Sequence, residues 1–148
     1  MAKKICDLIS FSGLDPKYVE LEITEGALMQ DVVKNNETLK VLNSKGIHIS
    51  IDDFGTGYSS LSYLKRLHLN TLKIDQSFVR NVQEDPDDAA IVSAIIAMAN
   101  SLNLDVIAEG IETEAQLNYL ASIGCNKAQG YLLGKPLPAE EFTQFFIK

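Results

Sequence analysis

Every segment of this chain that reads as a β-strand has two different faces. In "YVELEITE", Val19, Leu21 and Ile23 fall on one phase and Glu20, Glu22 and Thr24 on the other; in "IHISIDD", Ile47, Ile49 and Ile51 oppose His48, Ser50 and Asp52. Successive side chains of a strand point to opposite sides, so each phase is a face. "TLKID" sets Lys73 and Asp75 against Leu72 and Ile74, and Glu109 and Gln129 take the matching polar phases of "DVIAEG" and "KAQGYLL". Helical segments separate these strands, giving five βα units in succession, an order that implies a parallel sheet with right-handed crossovers. A doubly wound sheet is covered on both faces and needs strands that are apolar nearly throughout. One apolar and one polar face instead predict an α/β fold of the (β/α) barrel kind, with helices packed outside and polar groups gathered at the C-terminal mouth.

The intervening segments carry their own start and stop signals. An amphipathic helix near Lys3 to Ser12 ends at Gly13, and another from about Ala27 to Ser44 ends at Gly46. "SSLSYLKRL" reads as a helix. Asp85 and Pro86 open a long one from Asp87 to Ser101, with Asp87 and Asp88 at its positive end. Thr113 and Gln116 fit a capping box, and Pro136 and Pro138 mark a loop before a closing helix, "EEFTQFFI".

A chain of 148 residues, 46% hydrophobic and 22% charged, is expected to form one soluble domain over residues 1–148. Its longest apolar run, Ala89 to Ala99, is interrupted by Ser93 and falls well short of the roughly 20 residues that span a bilayer. The start "MAKKICDLIS" does not resemble a secretory signal, so no membrane segment and a cytoplasmic location are expected. Cys6 and Cys125 have no CxxC spacing and read as reduced packing residues. A formal net charge of −7 argues against duplex nucleic acid as a partner, because a phosphate-backbone binder needs a basic surface. A small phosphorylated ligand remains compatible if a bound metal supplies the positive charge.

In a barrel every strand ends at the same rim, so Glu22, Asp52, Asp53, Lys73, Asp75, Glu109 and Gln129 are expected to converge. The alternative is a scatter of acids that cap the helices after each strand. Several carboxylates at one rim need a cation or a proton between them. No histidine cluster is at hand, and an oxygen-only set favours magnesium or manganese over zinc. Two such ions can activate water and stabilise the leaving oxygen of a phosphate ester. Lys73 could offset charge at such a centre or simply pair with a neighbouring acid, and spacing alone does not choose. In "IDDFGTGYSS", Asp53 is expected to start a loop whose glycines let it fold over the mouth. The run lacks the third glycine of a dinucleotide fingerprint, and no P-loop, nucleophile elbow or HExxH motif is present.

"ELEITE", "IDDFGTGYSSL", "LKIDQSFV", "VIAEGIET" and "QGYLLGKPL", in this order and spacing, closely resemble the C-terminal part of the EAL family of cyclic di-GMP phosphodiesterases, from Gly13 onward. The resemblance implies a partial TIM-like (β/α) barrel. It also implies metal-dependent hydrolysis of one phosphodiester bond of cyclic di-GMP to the linear dinucleotide. Glu22, Asp52, Asp53 and Glu109 then correspond to metal-coordinating acids holding Mg2+ or Mn2+. Lys73 corresponds to the lysine that contacts the attacking water, Gln129 to a glutamine near that water, and Glu109 also belongs to the catalytic set. Glu25 and Glu112 match glutamates that hold the active-site loop of Phe54, Gly55, Thr56, Gly57 and Tyr58, a loop that in the family also contributes to dimerisation.

The chain departs from the family pattern at its N-terminus. The Glu-Ala-Leu triplet is absent, since "EGAL" at Glu25 to Leu28 is not it, and so are the asparagine-bearing strand and the arginine after the triplet. One carboxylate and one amide of the implied metal set are therefore missing. Five strands cannot close a barrel of about eight, so the polypeptide is expected to form a homo-oligomer or to dock an N-terminal complement. The isolated chain is expected to be inactive or impaired. The alternatives to the enzyme reading are a non-catalytic module that binds cyclic di-GMP or a protein, and a bare folding fragment.

Overall fold

The computed structural model describes residues 1–57 and 61–144. The chain opens with α1 (Ala2–Ser12), which ends where Gly13 turns left-handed at φ 73°. A 3-10 turn at Pro16–Tyr18, capped by Asp15, then feeds β1 (Glu20–Thr24). There follow α2 (Glu25–Met29), α3 (Val32–Asn43), β2 (His48–Phe54), α4 (Leu61–Leu64) and β3 (Thr71–Ile74). The second half runs α5 (Gln76–Arg80), α6 (Pro86–Ser101), β4 (Asp105–Ala108), α7 (Glu114–Ser122), β5 (Lys127–Ala128) and α8 (Ala139–Gln144).

All strand pairs are parallel, and the strands lie side by side in chain order, β1-β2-β3-β4-β5. That order distinguishes a (β/α) barrel segment from a doubly wound sheet, in which strand order reverses at a switch point. On the apolar phase, Ile47, Ile49, Ile51, Leu72, Ile74, Val106 and Ala108 are buried together with Leu39, Leu42, Val92 and Ile96 of the covering helices. Each valine, leucine or isoleucine among them contributes about 1.5–3 kcal/mol when removed from water. The polar phase is also closely packed in the middle of the sheet: Ser50, Thr71 and Lys73 are all buried. On the edge strand β1, Leu21 and Ile23 are only half-buried.

Several elements differ from their sequence expectation, each for a local reason. The single helix expected over Ala27 to Ser44 is two. Thr24 caps the first through Ala27 N, and Asp31, with φ −150°, breaks the chain and caps the second by accepting from Lys34 N. Asn35 then donates to the carbonyls of Ala27 and Leu28, satisfying acceptors that the shortened helix leaves open. The strand expected over "KAQGYLL" keeps only Lys127 and Ala128 in the ladder, because Gly130 turns against Ile111 so closely that no side chain would fit there. The helix α5 is additional to the sequence expectation, and it starts because Asp75 leaves the strand to cap it, accepting from Ser77 N at 2.8 Å. By contrast, the capping box of Thr113 and Gln116 and the Asp85 cap of α6 form as read.

Candidate functional site

The site begins with an irregularity in the pairing of β2 with β3. Ile51 pairs with Leu72 and Phe54 with Ile74, so Asp52 and Asp53 together stand opposite the single residue Lys73. This is a β-bulge, and Asp53 makes it by adopting φ 54°, a left-handed conformation that aspartate tolerates better than most residues. In a regular strand two adjacent carboxylates would point to opposite faces. The bulge re-aims them, so that one carboxylate oxygen each from Asp52, Asp53 and Glu109 lie within 4.8 Å of one another. The expected start of the loop at Asp53 is thus corrected: β2 continues through Asp53 to Phe54, whose ring is buried.

Lys73 reaches the same spot from below. Its side chain is 6% exposed, and Nζ lies 2.7 Å from Glu22 Oε1, 2.7 Å from Glu109 Oε1 and 3.1 Å from Asp52 Oδ1. The contact with Glu22 is a hydrogen bond donated by the ammonium. The contact with Asp52 is close enough for an ion pair, yet Asp52 Oδ1, shielded from solvent, accepts no well-directed hydrogen bond. Glu22 meets the three-acid cluster through Lys73 rather than as a member of it.

The electrostatics follow from this crowding. Partial desolvation at the exposed mouth holds the Asp53 carboxyl above its ordinary range, and the charges of Asp52 and Asp75 add to that effect. Glu109 is raised too, chiefly by burial, with Lys73 pulling the other way. Burial opposes the charge on Lys73, but its contacts with Glu109, Glu22 and Asp52 outweigh that opposition and hold the ammonium protonated above the usual lysine range. Three carboxylates offering only oxygen, with Asp53 and Glu109 held protonation-prone chiefly by desolvation and then by neighbouring acids, form a donor set that fits a hard divalent cation.

Glu25 follows β1 directly and is buried at 3% exposure. Its Oε2 accepts hydrogen bonds from Gly55 N at 3.1 Å and Gly57 N at 3.2 Å. Gly57 has to lack a side chain there, since a Cβ would stand 2.8 Å from the Glu25 carboxyl. Thr56 closes the turn by donating to the Asp53 carbonyl at 2.9 Å. Tyr58 lies outside the described residues. Beside the acids, a cavity of about 280 Å³ is lined by Asp53, Asp75, Gln76, Glu109, Glu112, Gln129 and Tyr131 among others.

Glu112 thus lines the mouth on the side of β4, and the structure gives its carboxylate no hydrogen bond to residues 54–57. Gln129 is exposed at the same mouth, its backbone joining Ala108 and Ile111. Sequence reasoning did not single out Tyr131, Gln76 or the second role of Gln116. Gln116 Oε1 accepts from Glu112 N at 2.9 Å and Thr113 N at 3.0 Å, while its Nε2 donates to Arg80 O. The capping-box spacing pointed to this residue, but only as a helix signal.

Comparison with known proteins gives a consistent result. The family model described as EAL domain matches residues 1–136. The bifunctional diguanylate cyclase/cyclic di-GMP phosphodiesterase MucR of Pseudomonas aeruginosa is 54% identical over 129 residues, covering 87% of this chain and 19% of MucR. The cyclic di-GMP phosphodiesterase NbdA of the same organism is 47% identical over 134 residues, 90% of this chain and 17% of NbdA. Among solved structures, the MucR phosphodiesterase in complex with c-di-GMP superposes with a TM-score of 0.91 at 49% identity, covering 95% of this chain and 57% of that one. A manganese/cy-diGMP complex of Klebsiella pneumoniae BlrP1 gives a TM-score of 0.80 at 34% identity, over 88% of this chain and 33% of that one. The chain therefore spans about a fifth of the length of these curated relatives.

Proposed function

Because the chain belongs to the EAL domain family, we propose that it carries the C-terminal share of a metal-dependent phosphodiesterase site for cyclic di-GMP. The observation that carries this reading is the oxygen cluster of Asp52, Asp53 and Glu109 beside the buried Lys73. The relatives MucR and NbdA are named as cyclic di-GMP phosphodiesterases, and structures of BlrP1 contain cy-diGMP with manganese or calcium, which supports a divalent centre.

Asp52, Asp53 and Glu109 would hold the ions, Mg2+ or Mn2+, with Glu22 joining them from β1. Such ions supply a water made nucleophilic at neutral pH and neutralise charge on the phosphate. The rest is done by this chain's own residues. Lys73, kept cationic by its acid partners, presents N–H donors to the attacking oxygen or to the phosphate. Gln129 offers amide groups at the mouth to orient the water. Glu25 fixes Gly55 and Gly57 so that the loop over the mouth keeps one shape, and Glu112 borders the space where the ligand would lie. Water adds across one P–O bond, leaving a phosphate on one nucleotide and a hydroxyl on the other.

The remaining metal ligands and the rest of the wall are assigned to a partner: a second copy of the chain, or an N-terminal complement that pairs with the open edge of β1. A cytoplasmic location goes with this reading, in which Cys6 and Cys125 stay reduced packing residues. The test is turnover. With an N-terminal EAL segment added, the chain should convert cyclic di-GMP to the linear dinucleotide in Mg2+ or Mn2+, and Glu109→Gln should abolish the conversion. Tight calorimetric binding without product would identify a non-catalytic binding module instead.

A further inference from the structure

Lys73 and a divalent ion have partners in common. The ammonium touches Glu22, Glu109 and Asp52 at 2.7, 2.7 and 3.1 Å, and Asp52 and Glu109 are two of the three acids whose oxygens gather within 4.8 Å. An ammonium has three protons for three acceptors. Even so, Asp52 Oδ1 stays without a directed hydrogen bond although solvent cannot reach it. The ammonium thus neutralises this corner of the centre without satisfying its geometry. A second, doubly charged cation bound through the same oxygens would stand only a few ångströms from Nζ, where like charges repel strongly even when partly screened.

We propose that Lys73 is a built-in counter-ion that competes with the divalent cation for Glu22, Asp52 and Glu109, so that loading the centre moves its ammonium off these carboxylates. This rests on the reading that the centre takes a divalent ion. Glu22, on the neighbouring strand β1, is the most exposed of the three at 51%, while Asp52 and Glu109, at 24% and 17%, are the more confined pair. Lys73 thereby spares the acids their mutual repulsion when no metal is bound and at the same time lowers their affinity for metal.

The experiment is Mn2+ binding to the full chain, followed by the electron paramagnetic resonance of the free ion. Lys73→Met removes the charge and keeps the unbranched stem, one atom shorter; it should bind Mn2+ about tenfold more tightly or better than wild type. Lys73→Arg, which keeps the charge, should show no gain. In chelator Lys73→Met should melt below wild type, and saturating Mn2+ should raise its Tm by more than it raises that of wild type. Equal affinity of Lys73→Met and wild type overturns the proposal, whether both bind or neither does. Should Lys73→Met not fold in chelator, the ammonium resonance of Lys73 in wild type decides. It should shift on Mg2+ addition, and an unchanged resonance overturns the proposal. Turnover by the completed wild-type domain is scored separately, so a chain that hydrolyses but shows no Lys73→Met gain defeats the counter-ion and leaves the enzyme reading intact.

Discussion

At the scale of single residues, the two adjacent aspartates show how much chemistry one backbone angle controls. Asp53 reaches the cluster only because its φ of 54° inserts it into the ladder as an extra residue, and its charge is held there against burial and the charges of Asp52 and Asp75. For an acid with a raised folded-state pKa, the cost of ionisation is fully present above that pKa. It fades as the pH falls toward the ordinary value of 3.8. Asp53→Asn removes the charge and keeps a side chain that tolerates the left-handed conformation. In chelator its Tm near neutral pH should therefore equal or exceed that of wild type, while its Tm increase on Mn2+ addition should be lost, both read by scanning calorimetry. By the same sign, Mn2+ affinity of wild type should fall on acidification as protons reoccupy Asp53 and Glu109, which a titration series at stepped pH measures. The convergence of Glu22, Asp52, Lys73 and Glu109 was legible from alternation, because side chains of parallel strands in register share a face. The bulge was not, since it depends on how many residues of β2 face β3, which no single strand reveals.

At the scale of elements, buried side chains that satisfy backbone groups fix the segments around the mouth. Glu25 holds Gly55 and Gly57 from a distance of about thirty positions in sequence. Glu25→Ala should cost about 2–3 kcal/mol in urea unfolding. It should also raise the hydrogen-exchange rates of the Gly55 and Gly57 amides well above those of the β2 core; unchanged rates would show that the loop holds its shape by other means. Gln116 does the same after β4, its one amide serving Glu112, Thr113 and Arg80. Gln116→Leu should lose about 2–4 kcal/mol of stability, more than the roughly 1 kcal/mol of an N-cap change such as Thr113→Ala, measured by the same unfolding curves. Element existence was readable from period and caps: β1 to β4, α6 and α7 all stand near their expected places. What could not be read were the breaks made by side chains acting on their own backbone, as Asp31 and Asp75 do, and the loss of most of β5 to the contact of Gly130 with Ile111.

At the scale of the whole molecule, the sheet ends with β1 and β5, each flanked by a described strand on one side only. Polar residues of the would-be barrel interior, Glu20, Glu22, Thr24 and His48, lie exposed on or next to β1. Sedimentation at increasing concentration should show self-association of the chain, and adding an N-terminal EAL segment should replace that with a complex of defined stoichiometry. A monomer at every concentration that ignores the segment would refute the open-edge reading. The strand order decides what such a joining demands. In a sheet whose strands reverse direction of addition, some cuts leave strands of one piece on both sides of the other, and the two pieces then have to interleave to be reunited. Here chain order and spatial order coincide, so a break between any two βα units leaves both pieces with their own contacts whole. The five described strands divide at a single seam, and gaining or losing a unit at either end of them is a change at a border and not in the interior.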